Sequence, residues 1–468
     1  MLISDKLKSR KIMSAGSPKA SSPQSKKTKI EEAAASPPAA KLGGTGRSDK
    51  RMVGYDNFVR HNPKSDKFEM LDFDHLDVWC SDATNTAGRF AAGLGMAARA
   101  KSDITTGNFT YTSHVIQSND MVFVFTAPYF TEAPPPNNPM FDFLSFPELN
   151  RQAVLDFVAQ HDIAVRAIGL LVTDATVAYE EAIKSGATSV QRPTLLTDKD
   201  DSSSTLAYAE IQYYGDVVLR LVERKNYKAV GSAFMPGFQR VDGGVANYGI
   251  RRIDHVVSNV PSLMAVMDAA VKHTGVHEFA EFIASDVGTV DSGLNSVVLA
   301  NNTETILLPI NEPTFGTKRK SQIQSFLEHH KGPGVQHIAL STPDIFATIE
   351  KMRGLGPLLG FEFLPAPEGD YYEKHVPEKM KGTHNCDDAF IARCKKLNIL
   401  IDRDDEGGLL QIFTKPVLDR PTLFFEVIQR LGCPLGGGKQ KPGCGGFGKG
   451  NFGALFKTIE QWEKKISD

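Results

Sequence analysis

The sequence predicts an α+β protein of four βαβββ modules, paired into two domains, each a curled, open mixed sheet with helices outside. Three observations lead to this fold class. A strand, a polar turn, an amphipathic helix and a glycine recur four times along the 468 residues. Each of these helices begins with residues that can cap it, and each is followed by segments that alternate between apolar and polar residues.

The repeated units start at similar intervals. They begin at Phe73, Val165, Arg252 and Val335, which are 92, 87 and 83 residues apart. This near-fixed period indicates repeated structure, and it is longer than a solenoid unit, so each unit is interpreted as a small α/β module. Segments after the helices, such as YTSHVIQSNDMVFVFTAP and GLNSVVLANNTETILLPI, have the alternation of antiparallel strands joined by polar turns.

The module helices have start signals. Short polar side chains can accept hydrogen bonds from the free backbone N–H groups at a helix N-terminus. The candidate capping residues are Asp82 and Thr84, Asp174 and Thr176, Ser262, and Asp344 after Pro343. We therefore expect one helix in each module, beginning at these positions.

Composition and the repeat divide the chain into three regions. Residues 1–50 are rich in Ser, Ala, Pro and Lys, with eleven basic and four acidic residues, and a segment with so few large apolar side chains is expected to be disordered. Residues 51–240 hold the first two modules and residues 241–468 the last two, with the boundary in PGFQRVDGGVANYG. The basic, Ser-rich segment also fits a transit peptide, although Glu31, Glu32 and the few arginines argue against one. We expect a cytoplasmic protein, with the plastid as the alternative.

The composition argues against several classes of partner. A formal net charge of -2 gives no reason to expect nucleic acid or an anionic membrane. No apolar run approaches the roughly 18 residues of a membrane span. The cysteines are scattered and form no CxxC pair, so we expect reduced thiols, as in intracellular proteins. They are Cys80, Cys386, Cys394, Cys433 and Cys444.

Three residues far apart in the chain are predicted to form one metal site. His255, His337 and Glu426 are separated by 82 and 89 residues, close to the period of the repeat. Each lies in a short alternating run that is typical of a half-buried strand. Two imidazoles and one carboxylate with open coordination positions form the facial triad of non-haem Fe(II) oxygenases. The carboxylate, between Phe425 and Val427, would also need a partner if it is buried.

Residue types alone leave alternatives open. A single histidine on a strand is more often structural than a ligand, and nitrogen and oxygen ligands suit Zn(II) and Mn(II) as well as Fe(II). The first module has His75 at the corresponding position, but the second has Ala167 or Ile168. Because a metal site needs its complete ligand set, we expect the N-terminal domain to be a scaffolding copy without metal.

Long motifs occur in the same order as in a known family. The second half contains RRIDHVVSNV, SGLNSVVLANN, LLPINEP, KRKSQIQSFLEHHKGPGVQHIALST, LLQIFTKP, RPTLFFEVIQR and CGGFGKGNFGALFKTIEQWE, and the first half contains FDHLDVWCSDA and SHVIQSNDMVFVFTAPY. The paired modules resemble the vicinal oxygen chelate superfamily. The motifs, over roughly residues 50–465, resemble the 4-hydroxyphenylpyruvate dioxygenase family, most closely its plant and algal form.

The resemblance implies a reaction and its partners. Members of this family use Fe(II), one per chain, and O2 to convert 4-hydroxyphenylpyruvate to homogentisate and CO2. The product belongs to tyrosine catabolism and supplies plastoquinone and tocopherol synthesis. The plant form is usually a homodimer, so we expect a homodimer here, with neither nucleic acid nor a membrane as a partner.

The resemblance also implies roles for individual residues. The iron ligands would be His255, His337 and Glu426. The residues that would bind substrate are Ser296, Asn311, Gln322, Gln336, Gln411, Phe413 and Phe424. A C-terminal lid helix over residues 450–466 would cover the active site with Asn451, Phe452 and Phe456, and the glycines before it would form a hinge. By spacing alone, the two phenylalanines would be interpreted as core packing, and each amide as part of a turn or of a structural hydrogen bond.

Two other functions stay open. Hydroxymandelate synthases share the substrate, the iron and the fold but hydroxylate the benzylic carbon. Phe413 favours the dioxygenase, because the mandelate-forming relatives tend to have an aliphatic residue there. A non-catalytic binding protein of the same fold would not need the complete His/His/Glu set. The segment LGCPLGGGKQKPGCGG looks shorter than in typical plant relatives, and the N-terminal extension has no match.

Overall fold

Two large sheets with flanking helices form the described part of the chain. The computed structural model describes residues 51–129, 146, 149–228, 234–244, 247–287, 293–316, 318–367, 369–381, 386–436, 439–452 and 458. The predicted disordered extension over residues 1–50 lies outside these ranges, as does most of the predicted lid helix. Among the described residues, no helix has the length and apolar character that crossing a membrane requires.

The predicted order of the modules recurs in the structure, with further helices and short strands between and within them. The strands are β1 Met70–Trp79, β2 Ala97–Ser102, β3 Tyr111–Ser118, β4 Met121–Pro128, β5 Ala164–Val172, β6 Ser189–Thr197, β7 Thr205–Tyr214, β8 Val217–Glu223, β9 Gln239–Arg240, β10 Arg252–Asn259, β11 His277–Phe282, β12 Leu294–Ala300, β13 Leu307–Pro313, β14 Gly334–Ser341, β15 Leu400–Arg403, β16 Gly407–Phe413, β17 Phe424–Gly432, β18 Pro434–Gly436 and β19 Lys439–Gln440. The helices are α1 Ala83–Leu94, α2 Arg151–His161, α3 Ala175–Lys184, α4 Leu263–Thr274, α5 Ala284–Val287, α6 Gln322–His330, α7 Ile345–Arg353, α8 Gly356–Leu359, α9 Val376–Lys379 and α10 Asp388–Leu397.

The four βαβββ modules pair into two mixed sheets, which confirms the predicted fold class. The first sheet has the strand order β6-β7-β8-β5-β1-β4-β3-β2-β9, and the second has the order β11-β12-β13-β10-β14-β17-β16-β15. In each sheet, the first strands of two modules are antiparallel neighbours at the centre. Each of these strands is also parallel to the last strand of its own module. The two sheets are therefore two copies of one topology.

The predicted caps are confirmed for three of the four module helices. The side chains of Asp82, Asp174 and Asp344 each accept a hydrogen bond from the backbone N–H three residues later. Ser262 stands at the cap of α4, but its side chain makes no capping bond. The carboxylate of Glu312 on β13 accepts the N–H of Leu263 at 2.9 Å instead. A residue from another strand thus supplies this cap.

Both sheets share one continuous apolar core. Phe90 on α1 contacts Phe361 and Phe425 edge-to-face, with ring centroids 5.5 and 5.8 Å away. Gly93, one turn further along α1, lies against the ring of Phe361, since a Cβ there would be 2.6 Å from that ring. A larger residue at that position would push the helix away from the second half of the chain. The domain boundary at residue 240 stays a prediction.

The expectation of reduced thiols is wrong for two cysteines. Cys433 and Cys444 form a disulfide, with a sequence separation of 11 residues, whereas Cys80, Cys386 and Cys394 are free. The cysteines meet because the short hairpin of β18 and β19 turns the chain back on itself. Spacing alone does not reveal such a pair. The bridge closes the segment that leads from β17 to the glycines before the predicted lid.

A stacked histidine pair connects the two halves of the chain. The rings of His161 on α2 and His330 on α6 have centroids 4.3 Å apart. The ring of Phe326 stacks on that of His330 with a centroid distance of 5.1 Å. Burial, together with the adjacent His161, lowers the pKa of His330 to about 3. The imidazole of His330 is therefore neutral in the folded protein at neutral pH.

His330→Asn is expected to flatten the fall of stability with decreasing pH. The unfolded chain binds a proton at this histidine below about pH 6.5, whereas the folded chain does so only near pH 3. The free energy of unfolding should therefore decrease between these two pH values in the unchanged protein. Thermal unfolding at pH 7 and pH 5 should show a smaller Tm difference in the variant, by about 2 °C or more. His329→Asn, at the exposed neighbouring position, is the control, and equal Tm differences in both variants would contradict the assignment.

Candidate metal centre and its cavity

The register of the second sheet brings the three predicted ligands together. His255 on β10 pairs with Ala339 on β14, and Ala339 pairs with Glu426 on β17. His337 lies two residues before Ala339 and so projects from the same face of the sheet. Equivalent positions in neighbouring modules therefore become neighbours in space.

The distances within this group suit a metal ion. Nε2 of His255 lies 3.2 Å, and Nε2 of His337 3.5 Å, from the same carboxylate oxygen of Glu426. The candidate ligand atoms all lie within 4.8 Å of one another. His255 and Glu426 are each 4% exposed, so a charge there has little water to solvate it. Across the described ranges, no other group of three His, Cys, Asp or Glu side chains comes this close.

Each imidazole has a partner for its other nitrogen. Nδ1 of His255 lies 2.9 Å from Oδ1 of Asp254, and Nδ1 of His337 lies 3.0 Å from Oε1 of Gln336. These acceptors favour the tautomer with the proton on Nδ1, which leaves Nε2 free to bind a metal. The strand pairing is irregular between Ile253 and His255, at the position of Asp254.

The electrostatics of the group keep Glu426 ionised. Burial alone would raise the pKa of Glu426, but hydrogen bonds with both histidines outweigh burial and lower that pKa to about 2. Burial lowers the pKa of His337, and Glu426 only partly opposes this shift. Burial would also lower the pKa of His255, but Asp254 and Glu426 together raise it above its ordinary value. The carboxylate is therefore ionised at neutral pH, the state in which it can ligate a cation.

The three side chains line a cavity whose wall is mostly apolar and aromatic, as is typical of small-molecule sites. The ring of Phe424 stacks on that of His337 at 4.7 Å between centroids, and Phe413 meets the same imidazole edge-on at 6.2 Å. The cavity is also lined by Val257, Phe282, Leu294, Ser296, Val298, Pro309, Asn311, Gln322, Gln336, Gln411, Phe447 and Phe452. All seven residues predicted to bind substrate thus lie on its wall.

Some polar side chains of the cavity have hydrogen-bond partners, and others do not. Ser296 and Asn311 pair across β12 and β13, and Nδ2 of Asn311 donates to Asn259 at 3.1 Å. Among the described residues, Nε2 of Gln322 and Oε1 of Gln411 are buried without a hydrogen-bond partner. Because buried polar atoms normally have partners, these two atoms mark where a polar ligand group would bind.

The predicted lid residues have different positions. Phe452 lines the cavity and packs against Phe282, with ring centroids 5.4 Å apart. Asn451 is fully buried and lies behind the wall, where its Oδ1 accepts a hydrogen bond from the hydroxyl of Tyr371 at 2.7 Å. Phe456 lies outside the described residues. The lid role of this segment stays a prediction.

Comparison with known proteins places the chain in a family. It is 50% identical over 424 residues to the 4-hydroxyphenylpyruvate dioxygenase of Plectranthus scutellarioides, which covers 89% of this chain and 94% of that protein. It is 47% identical over 423 residues to the 4-hydroxyphenylpyruvate dioxygenase of Arabidopsis thaliana, covering 89% of this chain and 93% of that protein. The chain belongs to the 4-hydroxyphenylpyruvate dioxygenase family. No protein-family model matches it.

Solved structures share the fold of this family member. A mutant of 4-hydroxymandelate synthase from Streptomyces coelicolor superposes with a TM-score of 0.66 at 23% identity, covering 84% of this chain and 99% of that chain. A fusion of a xylose isomerase-like TIM barrel with 4-hydroxyphenylpyruvate dioxygenase superposes with a TM-score of 0.57 at 19% identity, covering 85% of this chain and 53% of that chain. At these identities the likeness concerns the fold alone.

Two aromatic residues of the cavity, Phe447 and Phe282, are not predicted from the sequence. The ring of Phe447 meets that of His255 at 5.3 Å between centroids, although its glycine-rich segment was interpreted only as a hinge. A single aromatic side chain within a run of glycines, GCGGFGKG, was the available signal. The apolar strand residues that were also missed carried no such signal. They are Val257, Phe282, Leu294, Val298 and Pro309.

The first sheet of this dioxygenase-family chain keeps one histidine of the group. His75 pairs with Gly169, which pairs with Arg220, so an arginine stands where the second sheet has Glu426. The same register puts Ala167 in place of the second histidine. The guanidinium of Arg220 lies 2.9 Å from Nε2 of His75 and forms ion pairs with two carboxylates. A fixed positive charge there opposes a metal cation; that this domain holds no metal stays a prediction.

Proposed function

We propose that this chain is an Fe(II)-dependent dioxygenase that converts 4-hydroxyphenylpyruvate and O2 to homogentisate and CO2. The observation that carries the proposal is the buried group of His255, His337 and Glu426 on the wall of an aromatic-lined cavity. Relatives that are 50% identical over most of their length bear the corresponding enzyme name. The reaction balances, since the substrate carboxylate leaves as CO2 with its own two oxygens and homogentisate takes up both atoms of O2, one in its new carboxylate and one as its new ring hydroxyl.

The donor set fits Fe(II). Two imidazole nitrogens and a carboxylate oxygen are ligands that this ion accepts, and three protein ligands leave positions open for other molecules. His255 and His337 can offer Nε2 because Asp254 and Gln336 hold the Nδ1 atoms. When bound, Fe(II) supplies the one-electron chemistry that O2 activation needs.

The chain's own residues would bind and orient the substrate. Phe413 and Phe424 offer apolar ring surfaces beside His337, which suit the aromatic ring of 4-hydroxyphenylpyruvate. Nε2 of Gln322 can donate a hydrogen bond and Oε1 of Gln411 can accept one. A phenol hydroxyl can do both in return, so it can satisfy either amide. The apolar side chains around the group would limit the access of water.

The direct test is product identification. The Fe(II)-loaded protein is incubated with 4-hydroxyphenylpyruvate and O2, and the products are separated by chromatography against authentic standards. We expect homogentisate. 4-Hydroxymandelate has the same elemental composition, so retention time rather than mass must distinguish the two. Formation of 4-hydroxymandelate would show that the benzylic carbon of the side chain is hydroxylated rather than the ring. The absence of any iron-dependent product would favour a binding protein.

We further propose a cytoplasmic homodimer, with the plastid as the alternative location. The resemblance to the plant form supports the dimer, and light scattering should give twice the mass of one chain. The acidic pair Glu31 and Glu32 and the few arginines in residues 1–50 support the cytoplasm. Fluorescent fusions of the full chain and of residues 51–468 test the location in a plant cell. A plastid signal that requires residues 1–50 would favour the alternative.

A further inference from the structure

Arg430 lies beside the metal centre and reaches it through another residue. It is on β17, four positions after Glu426, and so projects from the same face of the sheet. Its Nε and Nη2 donate to the two carboxylate oxygens of Asp254 at 3.0 and 2.7 Å. The side chains of this pair are 3% and 0% exposed. Asp254 in turn holds Nδ1 of His255.

The third nitrogen of this guanidinium binds the backbone of the glycine-rich segment just before Phe447, which lines the cavity. Nη1 of Arg430 donates to the carbonyl oxygens of Cys444 and Gly446, both at 2.7 Å. Phe447 follows directly, and its ring lies 5.3 Å from that of His255. A planar guanidinium can make several such bonds at fixed angles. One side chain thus connects the carboxylate that orients a metal ligand with the backbone that places Phe447.

The first sheet contains the same arrangement without the complete ligand group. Arg224 directly follows β8 and stands four residues after Arg220, as Arg430 stands four residues after Glu426. It donates from Nη2 to Asp74 at 2.8 Å and from Nη1 to the carbonyl of Phe234 at 2.6 Å. Oδ1 of Asp74 lies 2.6 Å from Nδ1 of His75. The rings of His75 and Phe234 are 5.1 Å apart between centroids. The two copies have equivalent structural contacts, but only one of them adjoins a candidate metal centre.

We propose that Arg430 is a positioning residue that keeps the imidazole of His255 and the backbone before Phe447 in one fixed relation. Metal ligation and closure of the cavity then depend on the same side chain. The inference rests on the metal centre proposed above. Outer partners of metal-bound histidines typically change metal affinity by about 10–100-fold when they are removed. The single ammonium group of a lysine cannot reproduce the bidentate contact together with both carbonyl contacts.

The experiment compares Arg430→Lys with Arg224→Lys in the full-length protein. Both variants keep a positive charge against a buried carboxylate, so neither leaves that carboxylate uncompensated. Co(II), which accepts the same ligands, is titrated while its visible absorption is recorded. Arg430→Lys should weaken Co(II) binding by about 10–100-fold and shift the spectrum, whereas Arg224→Lys should stay within about twofold of the unchanged protein.

Limited proteolysis gives a second readout that is independent of metal. Cleavage between residues 439 and 452 should be several-fold faster in Arg430→Lys, because the carbonyls of Cys444 and Gly446 lose their shared donor. Arg224→Lys should leave the cleavage of this segment unchanged. Equal cleavage in the two variants would overturn the proposed link to the backbone before Phe447.

The outcomes separate this inference from the proposed function. If the unchanged protein binds no Co(II), the metal centre fails and the inference fails with it. If the unchanged protein binds Co(II) and both lysine variants bind it equally well, only the positioning role is overturned. Should Arg430→Lys not fold, Asp254→Asn replaces it, with Asp74→Asn as the control. Asp254→Asn should weaken Co(II) binding without faster cleavage, and equal affinity in the two asparagine variants would overturn the inference.

Discussion

Glu426→Gln is expected to lower turnover by more than about 100-fold while the protein stays folded. The amide keeps the shape of the side chain but loses the negative charge that both histidines face at 3.2 and 3.5 Å. Loss of a direct ligand should exceed the roughly 10–100-fold effect of removing an outer partner. The measurement is the initial rate of O2 uptake that depends on 4-hydroxyphenylpyruvate, together with the affinity for Fe(II).

Glu312→Gln is the matched control for this prediction. Glu312 is also a buried carboxylate of the second sheet, but it caps α4 rather than lining the cavity. Its replacement should lower thermal stability and leave turnover largely intact, since a lost cap costs about 1 kcal/mol. Full activity of Glu426→Gln would refute the ligand role. Equal losses of turnover in both variants would show that the effect comes from damage to the sheet.

Gly448→Ala is expected to lower kcat/KM on the order of 10–100-fold. This glycine has a φ of +75°, and a Cβ there would lie 2.4 Å from Oε1 and 2.5 Å from Nε2 of Gln411. Gln411 is only 2% exposed, so there is no free space beside its amide. The added Cβ would therefore displace this amide from its place on the cavity wall. Small displacements of a binding group can cost as much as two orders of magnitude in rate. Steady-state kinetics with 4-hydroxyphenylpyruvate measure the change.

Gly316→Ala separates this steric effect from backbone strain. Gly316 has a φ of +84°, and a Cβ there would meet no atom within 4 Å. Both alanine variants pay a similar strain of about 1–2 kcal/mol for the left-handed conformation. Only Gly448→Ala should lose activity. Equal kcat/KM values in the two variants would show that Gln411 does not need its present position.

The parts of the fold that depend on near neighbours in the chain were predictable. Asp82, Asp174 and Asp344 cap helices because each accepts a bond from an N–H three residues later. Alternation of apolar residues likewise reports which strands are half-buried, since successive side chains point to opposite faces. Ser262 shows the limit of this reasoning, because its helix takes a carboxylate from another strand instead.

The metal centre was predictable for a different reason. His255 and His337 stand at matching places in two modules, and matching strands of paired modules lie side by side at the centre of the sheet. Glu426 follows from the resemblance and from the isolated carboxylate in an apolar strand. The three side chains converge because His255 and Glu426 both pair with Ala339, which lies between them in the sheet. This register is a property of strand pairing rather than of any single motif.

The sequence by itself determined the four modules, three of the helix caps and the three residues that meet in the second sheet. The tertiary structure decided that Arg220 stands opposite His75 in the first sheet, that Arg430 joins Asp254 to the glycine-rich segment, and that Cys433 pairs with Cys444. Local patterns report periodicity and capping, which involve residues a few positions apart. Ion pairs and a disulfide join residues whose meeting depends on strand register and on the path of irregular segments, and no local pattern contains that information.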